Sequence, residues 1–438
     1  MITIPASTWG GLVIALVLMV VGVPLVARSA ARADRDPAMF RLVMWSGALK
    51  LACAPLWIYV IDHFYGGVAD AYTYNAAGAI VAQQIRQGDF AFQVGKVLGN
   101  GGTSLITGFV YVLIDSNTLG GFFVFAFLSF VSLVLFYRAF RVALPAGDGR
   151  RYARLVLFFP SLLFWTSAIG KDALISLGLG VAALGAARLL VRAHGALFLL
   201  AAGLGLVVVV RPHVALMFFA AVALAFPLSR SRRASAFGPV SKVLQLVVLV
   251  VAGLFLARLT AHFFGLRSLN TSSIHQVLQQ NATNTGSAAT NQIGQFGSST
   301  AASTSLSPLA IPRDFYDTIL RPLPITAHGL TQLASSLENS LILALLVLSW
   351  RRIGGALRAM LRNAYLLCCL IYSLVWIVLF ASIGNLGILA RERTSLLPLL
   401  FVLFSWPAPV AATAIVESPE RSEAEPADLV ALSQEMVS

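Results

Sequence analysis

Apolar runs recur along nearly the whole of this 438-residue chain, roughly over 9–27, 42–61, 119–137, 154–168, 173–191, 196–211, 213–228, 243–264, 333–350, 364–382 and 395–415. A helix needs ~20 apolar residues, each rising ~1.5 Å, to cross ~30 Å of hydrocarbon. With 58% hydrophobic residues, 11% charged residues and a mean hydropathy of +0.83, the chain has too little polar surface to cover a soluble particle. Open sheet edges in lipid would leave backbone groups unpaired. The expectation is therefore an all-α, polytopic transmembrane helical bundle of about eleven spans, extending over 1–416.

The chain carries 31 Lys and Arg against 18 Asp and Glu. That balance does not imply a nucleic-acid partner, because the basic residues sit in short clusters between apolar runs. The clusters are Arg28/Arg32/Arg35/Arg41, Arg138/Arg141/Arg150/Arg151/Arg154, Arg188/Arg192, Arg230/Arg232/Arg233/Lys242 and Arg351/Arg352/Arg358/Arg362. The positive-inside rule assigns them all to the cytoplasm. Eleven crossings that begin outside satisfy this, with the N-terminus outside and the acidic tail 417–438 cytoplasmic and disordered. The first apolar run is followed by arginines rather than preceded by them, so it reads as a retained helix. Cys53, Cys368 and Cys369 all fall inside apolar runs, which indicates packing rather than disulfides or zinc.

This topology leaves outside a first loop (62–118), a short turn at 166–172, a tight turn at 211–213, a large loop (265–332) and a last turn at 383–394. Thr103–Ile114 is too short to span and reads as a helix lying on the outer interface. Residues 268–308, rich in Ser, Thr, Asn, Gln, Ala and Gly, read as mobile, so the large loop is expected to be partly disordered. Two glycosylation triplets begin there at Asn270 and Asn281, as chance allows in a tract of this composition.

The outer loops hold the candidate chemistry. Asp70, Tyr72 and Tyr74 follow a span by about nine residues, and a carboxylate there suits a general base acting on an acceptor hydroxyl at headgroup level. Asp70 equally suits an N-cap for the Ala-rich stretch after it. Lys171 and Asp172 stand at the next outer turn, where snorkelling and capping are the bland alternatives. Arg211, His213, Arg321, Arg391 and Arg393 lie outside against the topological bias, and guanidinium groups bind phosphate oxygens through charge-assisted, bidentate bonds. The alternative is that Arg391, Glu392 and Arg393 pair among themselves or with lipid phosphates. The sequence has no nucleotide-binding glycine loop, no acidic metal pair, no His/Cys cluster and no nucleophile elbow. A transferase fed by a soluble nucleotide sugar is thereby disfavoured.

The order of these features resembles the GT-C superfamily of membrane glycosyltransferases, which includes protein O-mannosyltransferases and lipid A aminoarabinose transferases. Asp70, Tyr72 and Tyr74 match its acidic first loop, 103–114 its interfacial helix, and the span ending Phe136–Arg141 its basic-ended helix. Pro160, Ser161 and Asp172 match its Pro-Ser turn and outer Asp, and the likeness covers roughly 42–230. Asp70 lies between Ala69 and Ala71, where many members of the superfamily have paired acids, and the Lys171-Asp172 pair is also similar to polysaccharide polymerases of the EpsG type.

The resemblance implies an extracytoplasmic transferase in the bacterial cytoplasmic membrane, serving cell-envelope polysaccharide synthesis. It implies a polyprenyl-phosphate-linked sugar as donor and a glycan or protein as acceptor, with Asp70 as base and Asp172 a second catalytic residue. Tyr72, Tyr74, Lys171, Arg211, His213, Arg321, Arg391 and Arg393 are the expected substrate-binding set. No metal ligand set is evident, although a divalent cation is compatible with the reaction. A polymerase acting on lipid-linked oligosaccharide is the alternative, and a lipid-linked sugar flippase or transporter a second.

Overall fold

The computed structural model describes residues 9–91, 97–191, 195–228, 238–268, 270–291, 302–327 and 330–407. The tail 417–438 and the last part of the final expected span lie outside them. Among the described residues the fold is all helical. The chain runs through α1 (Trp9–Asp34), α2 (Pro37–Phe64), α3 (Asp70–Arg86), α4 (Asn100–Ile114), α5 (Thr118–Ala143), α6 (Gly149–Phe158) and α7 (Pro160–Phe164). It continues through α8 (Lys171–Leu190), α9 (Ala196–Val210), α10 (Pro212–Leu228), α11 (Gly238–Phe263) and α12 (Thr271–Asn291). The last helices are α13 (Ile311–Phe315), α14 (Leu330–Leu348), α15 (Trp350–Ala359), α16 (Ala364–Phe380), α17 (Leu386–Glu392) and α18 (Leu397–Phe404).

Four of these, α1, α2, α5 and α8, are long and apolar enough to cross a membrane, and a fifth crossing results if α14 and α15 are counted as one span bent by 65°. Several other expected spans are helices of only 15–17 residues, such as α9, α10 and α16. At 1.5 Å per residue they measure roughly 22–26 Å, short of a full hydrocarbon thickness. The run over 154–168 is not one helix. Pro160 supplies no amide hydrogen and drives Phe159 to an extended ψ of 128°, so α6 ends there and α7 starts anew at Pro160. The stretch read as mobile is helical over α12. Side chains of Ser, Thr, Asn and Gln disfavour a helix only mildly, and Ile274, Val277 and Leu278 give one face an apolar surface that lines a cavity.

Polar caps set the helix starts. Asp36 accepts from the Ala38 amide at 3.0 Å ahead of α2, Asn117 from Gly120 at 2.7 Å ahead of α5, and Asp148 from Arg151 at 3.0 Å ahead of α6. The core centres on α5, whose Phe122, Phe125, Phe130, Phe136 and Phe140 are fully buried. Against it lies α8, and against α8 lies α9. There Gly178 and Gly203 leave no room for a β-carbon, so the backbones of α8 and α9 approach directly. The stack positions α8, whose preceding Gly170 lies beside Tyr74 of α3.

Candidate functional site

Helices α3 and α8 each open with an aspartate in the first turn. Asp70 begins α3 behind Ala69, and Asp172 follows Lys171 at the start of α8 behind Gly170. Neither carboxylate caps its own helix. Both instead face one guanidinium, that of Arg391 in the last turn of α17. Its Nε donates to Asp172 and its Nη1 to Asp70 Oδ2 at 3.3 Å. The arrangement suits the helix dipoles, with carboxylates at two N-termini and the cation at a C-terminus.

The two pairs differ in depth. The Asp172 side chain is 7% exposed and that of Asp70 63%, with Arg391 between them at 28%. Burial works against the charge of Arg391, but the carboxylates of Asp172 and Asp70 outweigh it and hold the guanidinium pKa above its ordinary value.

Arg211 sits at the break between α9 and α10, where Pro212 prevents a continuous helix and keeps Arg211 out of the helical region at φ −148°, ψ 89°. Its Nη1 donates to Glu392, the residue after Arg391. Adjacent residues on a helix point about 100° apart, so Arg391 and Glu392 serve different surroundings. Lys171 lies within the field of Arg211, Asp70, Arg391 and Asp172, yet among the described residues no carboxylate stands within ion-pair distance of it. The cluster therefore holds three acids (Asp70, Asp172, Glu392) and three bases (Arg391, Arg211, Lys171), of which Lys171 is unpaired.

Tyr74, four residues after Asp70 and hence on the same face of α3, completes the wall. Its hydroxyl donates to Asn100 Oδ1 at 3.0 Å, and burial first, then Asp70, raises its pKa. A β-carbon at Gly170 would lie in contact with the Tyr74 ring and Arg391 Nη2. Tyr65 is also half-buried, and burial pushes its pKa up to about 12 although Arg391 opposes the shift.

Two cavities meet this cluster from different sides. One, of about 660 Å³, is lined by Trp57, Tyr65, Asp70, Tyr72, Trp165, Asp172, Asn385 and Arg391, among others. Trp57 and Trp165 meet edge to face with ring centroids 5.3 Å apart, so this cavity combines aromatic faces with carboxylates. The other, of about 360 Å³, has Lys171, Arg211, His213 and Glu392 as its charged and imidazole groups and is otherwise mainly apolar, with Leu216, Met217, Phe263, Phe264, Val277 and Leu278. Within it His213 Nδ1 and Thr260 Oγ1 are buried without a hydrogen-bond partner.

Of the residues singled out from the sequence, the structure brings together Asp70, Asp172, Lys171, Arg211, His213, Tyr74 and Arg391. Tyr72 lines the first cavity while its hydroxyl donates to Asp62 at 2.7 Å. Arg321 and Arg393 stand elsewhere. Arg393 is fully buried and donates to the carbonyls of Ile319 at 3.2 Å and Arg321 at 3.3 Å and to Asn339. Arg321 pairs with Asp317 at 3.1 Å. Both hold the 316–322 segment rather than facing either cavity. Sequence reasoning left out Glu392 from the site, along with Trp57, Tyr65 and Asn385. The acid between Arg391 and Arg393 was the available signal for Glu392. For the aromatics there was none, since Trp57 lies inside an apolar run.

Among the described residues no group of three His, Cys, Asp or Glu side chains is close enough together to hold a metal ion. The chain matches no family model, no curated protein and no solved structure.

Proposed function

We propose that the protein is a membrane glycosyltransferase of the GT-C type that moves a sugar from a polyprenyl-phosphate donor to a glycan or protein acceptor on the outer face of the bacterial cytoplasmic membrane. The observation that carries this reading is the convergence of an exposed carboxylate, Asp70, and a cation-bearing cluster on two adjoining cavities, one aromatic and polar, the other mainly apolar. A donor with a sugar at one end, a phosphate in the middle and an isoprenoid chain at the other suits that sequence of surroundings.

In the proposed reaction the acceptor oxygen attacks the anomeric carbon in the aromatic cavity while its proton passes to Asp70. The bond from the anomeric carbon to the phosphate oxygen breaks, and the electron pair leaves with the polyprenyl phosphate. Lys171, Arg211 and Arg391 neutralise that phosphate as its charge develops. Asp172 holds Arg391 and leaves Asp70 the freer of the two acids, since Asp70 is reached only at 3.3 Å and faces solvent. Lys171, as the one unpaired cation among the described members of the cluster, favours a monophosphate carrier over the pyrophosphate that a polymerase would grip.

The reading includes eleven crossings, an outer N-terminus and a cytoplasmic basic end, for which the clustering of arginines at the far ends of α1, α5 and α8 is the support. The test is transfer of radiolabelled sugar from purified polyprenyl-phosphate monosaccharides to membrane acceptors. Asp70→Asn at equal folded amount should lose about 10²–10⁴-fold in rate. Transfer by the wild type only from lipid-linked oligosaccharide would replace the transferase with a polymerase, and transfer from neither would remove the reading.

A further inference from the structure

At the opposite end of the bundle, Arg28 and Arg32 on α1 and Arg138 on α5 border one open cavity of about 460 Å³, together with Leu25, Ser29 and Ala33. Among the described residues no carboxylate lies within ion-pair distance of any of the three, and none is fully buried. The neighbouring acids are already engaged. Asp34 accepts from Tyr137 at 2.5 Å and Arg141 at 2.9 Å, and Asp36 from Arg150 at 3.1 Å. Three positive charges therefore converge without compensation.

A lane of apolar side chains leads to them. On α1, Ile14, Leu18, Val21 and Leu25 are 51%, 39%, 52% and 55% exposed, and with Arg28 and Arg32 they follow a 4-3-4-3-4 spacing that lines one helix face. On α5 the partly exposed Phe127, Val131 and Leu135 run at similar spacing into Arg138. The lanes adjoin because Gly22 lets α1 lie against the Phe127 ring, where a β-carbon would collide.

We propose that this groove binds an anionic glycerophospholipid, with its phosphate held by Arg28, Arg32 and Arg138 and its acyl chains along the α1 and α5 lanes. Only an amphiphile matches both halves. A free phosphate would leave the lanes uncovered, and a partner helix would need acids at one end of an otherwise apolar face. Guanidinium forks bind phosphate oxygens in pairs, and basic pockets between spanning helices suit such headgroups.

The experiment uses the full chain purified in mild detergent and titrated with phosphatidylglycerol or with zwitterionic phosphatidylcholine, with bound lipid counted by native mass spectrometry. Phosphatidylglycerol should be retained over phosphatidylcholine, and the Arg28→Gln/Arg32→Gln/Arg138→Gln variant should bind it roughly a hundredfold more weakly. A control that removes equal charge elsewhere, Arg351→Gln/Arg358→Gln/Arg362→Gln, should retain it. A second variant, Val21→Asn/Leu25→Asn, keeps the arginines and should also lose the lipid, which separates a groove from a charged surface. Equal loss in the control, equal retention of phosphatidylcholine, or full displacement by glycerol phosphate would overturn the proposal.

Discussion

Where α1 ends and α2 begins, arginines tie helix ends together. Arg141 reaches Asp34 at 2.9 Å, Arg352 reaches Asp148 at 3.3 Å, and Arg151 donates to the Phe404 carbonyl and to Ser349 at 2.6 Å. About 42 Å along the 28 residues of α2, at the other end, Arg391 and Arg211 bind carboxylates that line cavities. The same side chain serves two purposes, and depth separates them. At the basic end the partners are caps, backbone carbonyls and part-exposed acids, so the loss of one contact leaves others. At the cavity end Arg391 is the one direct ion-pair partner of Asp172 among the described residues, and Asp172 is buried.

The sharpest way to break this comparison is Arg391→Gln. It strands the Asp172 carboxylate in a buried site, for which the expected cost is about 3–5 kcal/mol, seen as a lowered denaturation midpoint in mild detergent. Arg391→Gln combined with Asp172→Asn should recover most of that stability while transfer stays absent. If the single variant is as stable as the wild type, Asp172 is not held as the structure describes, and the two ends do not differ.

Lys171→Ala sharpens the contrast from the other side, because it removes the one cation of the cluster that has no acid to leave behind. Folding should be unaffected. If Lys171 meets the donor phosphate, the loss of a charge-assisted hydrogen bond worth about 1.5–3 kcal/mol should raise KM for the polyprenyl-phosphate donor roughly 10–150-fold. An unchanged KM with a lowered midpoint would give Lys171 a structural role instead.

The two ends were also unequally legible in the sequence. The basic end was visible at once, since clustered arginines between apolar runs carry a topological meaning that needs no tertiary contact. All-helical structure was likewise visible, as were the start of α5 from apolar length and those of α3 and α8 from their acids, although Asp70 and Asp172 reach Arg391 instead of capping. The membership of the site was visible only in part. Asp70, Asp172, Arg211 and Arg391 stood out as polar groups in apolar company, but Arg393 looked equivalent to Arg391 two residues away. On a helix two residues are about 200° apart, so one guanidinium faces the cavities and the other the 316–322 segment. The eleven-span count rests on hydropathy, whereas among the described residues four helices, or five with the bent pair, are each long and apolar enough to cross. Hydropathy does not register the break at Pro160 or the bend between Leu348 and Trp350, because those residues are flanked by apolar neighbours.

The smallest expected effect is at the basic end, in Arg141→Ala. Asp34 loses a 2.9 Å partner but keeps the Tyr137 hydroxyl at 2.5 Å, and the Arg141 side chain is already 35% exposed. A part-exposed pair of this kind contributes about 1 kcal/mol or less, so the midpoint should hardly move. Tyr137→Phe should be similarly mild, because Arg141 then remains. The double variant leaves Asp34 with neither partner, and its cost should exceed the sum of the singles, as expected of two donors that share one acceptor. Strict additivity would mean that Asp34 is reached by solvent or lipid headgroups when either donor is absent. An Arg141→Ala loss as large as that of Arg391→Gln would show that depth does not separate the two ends.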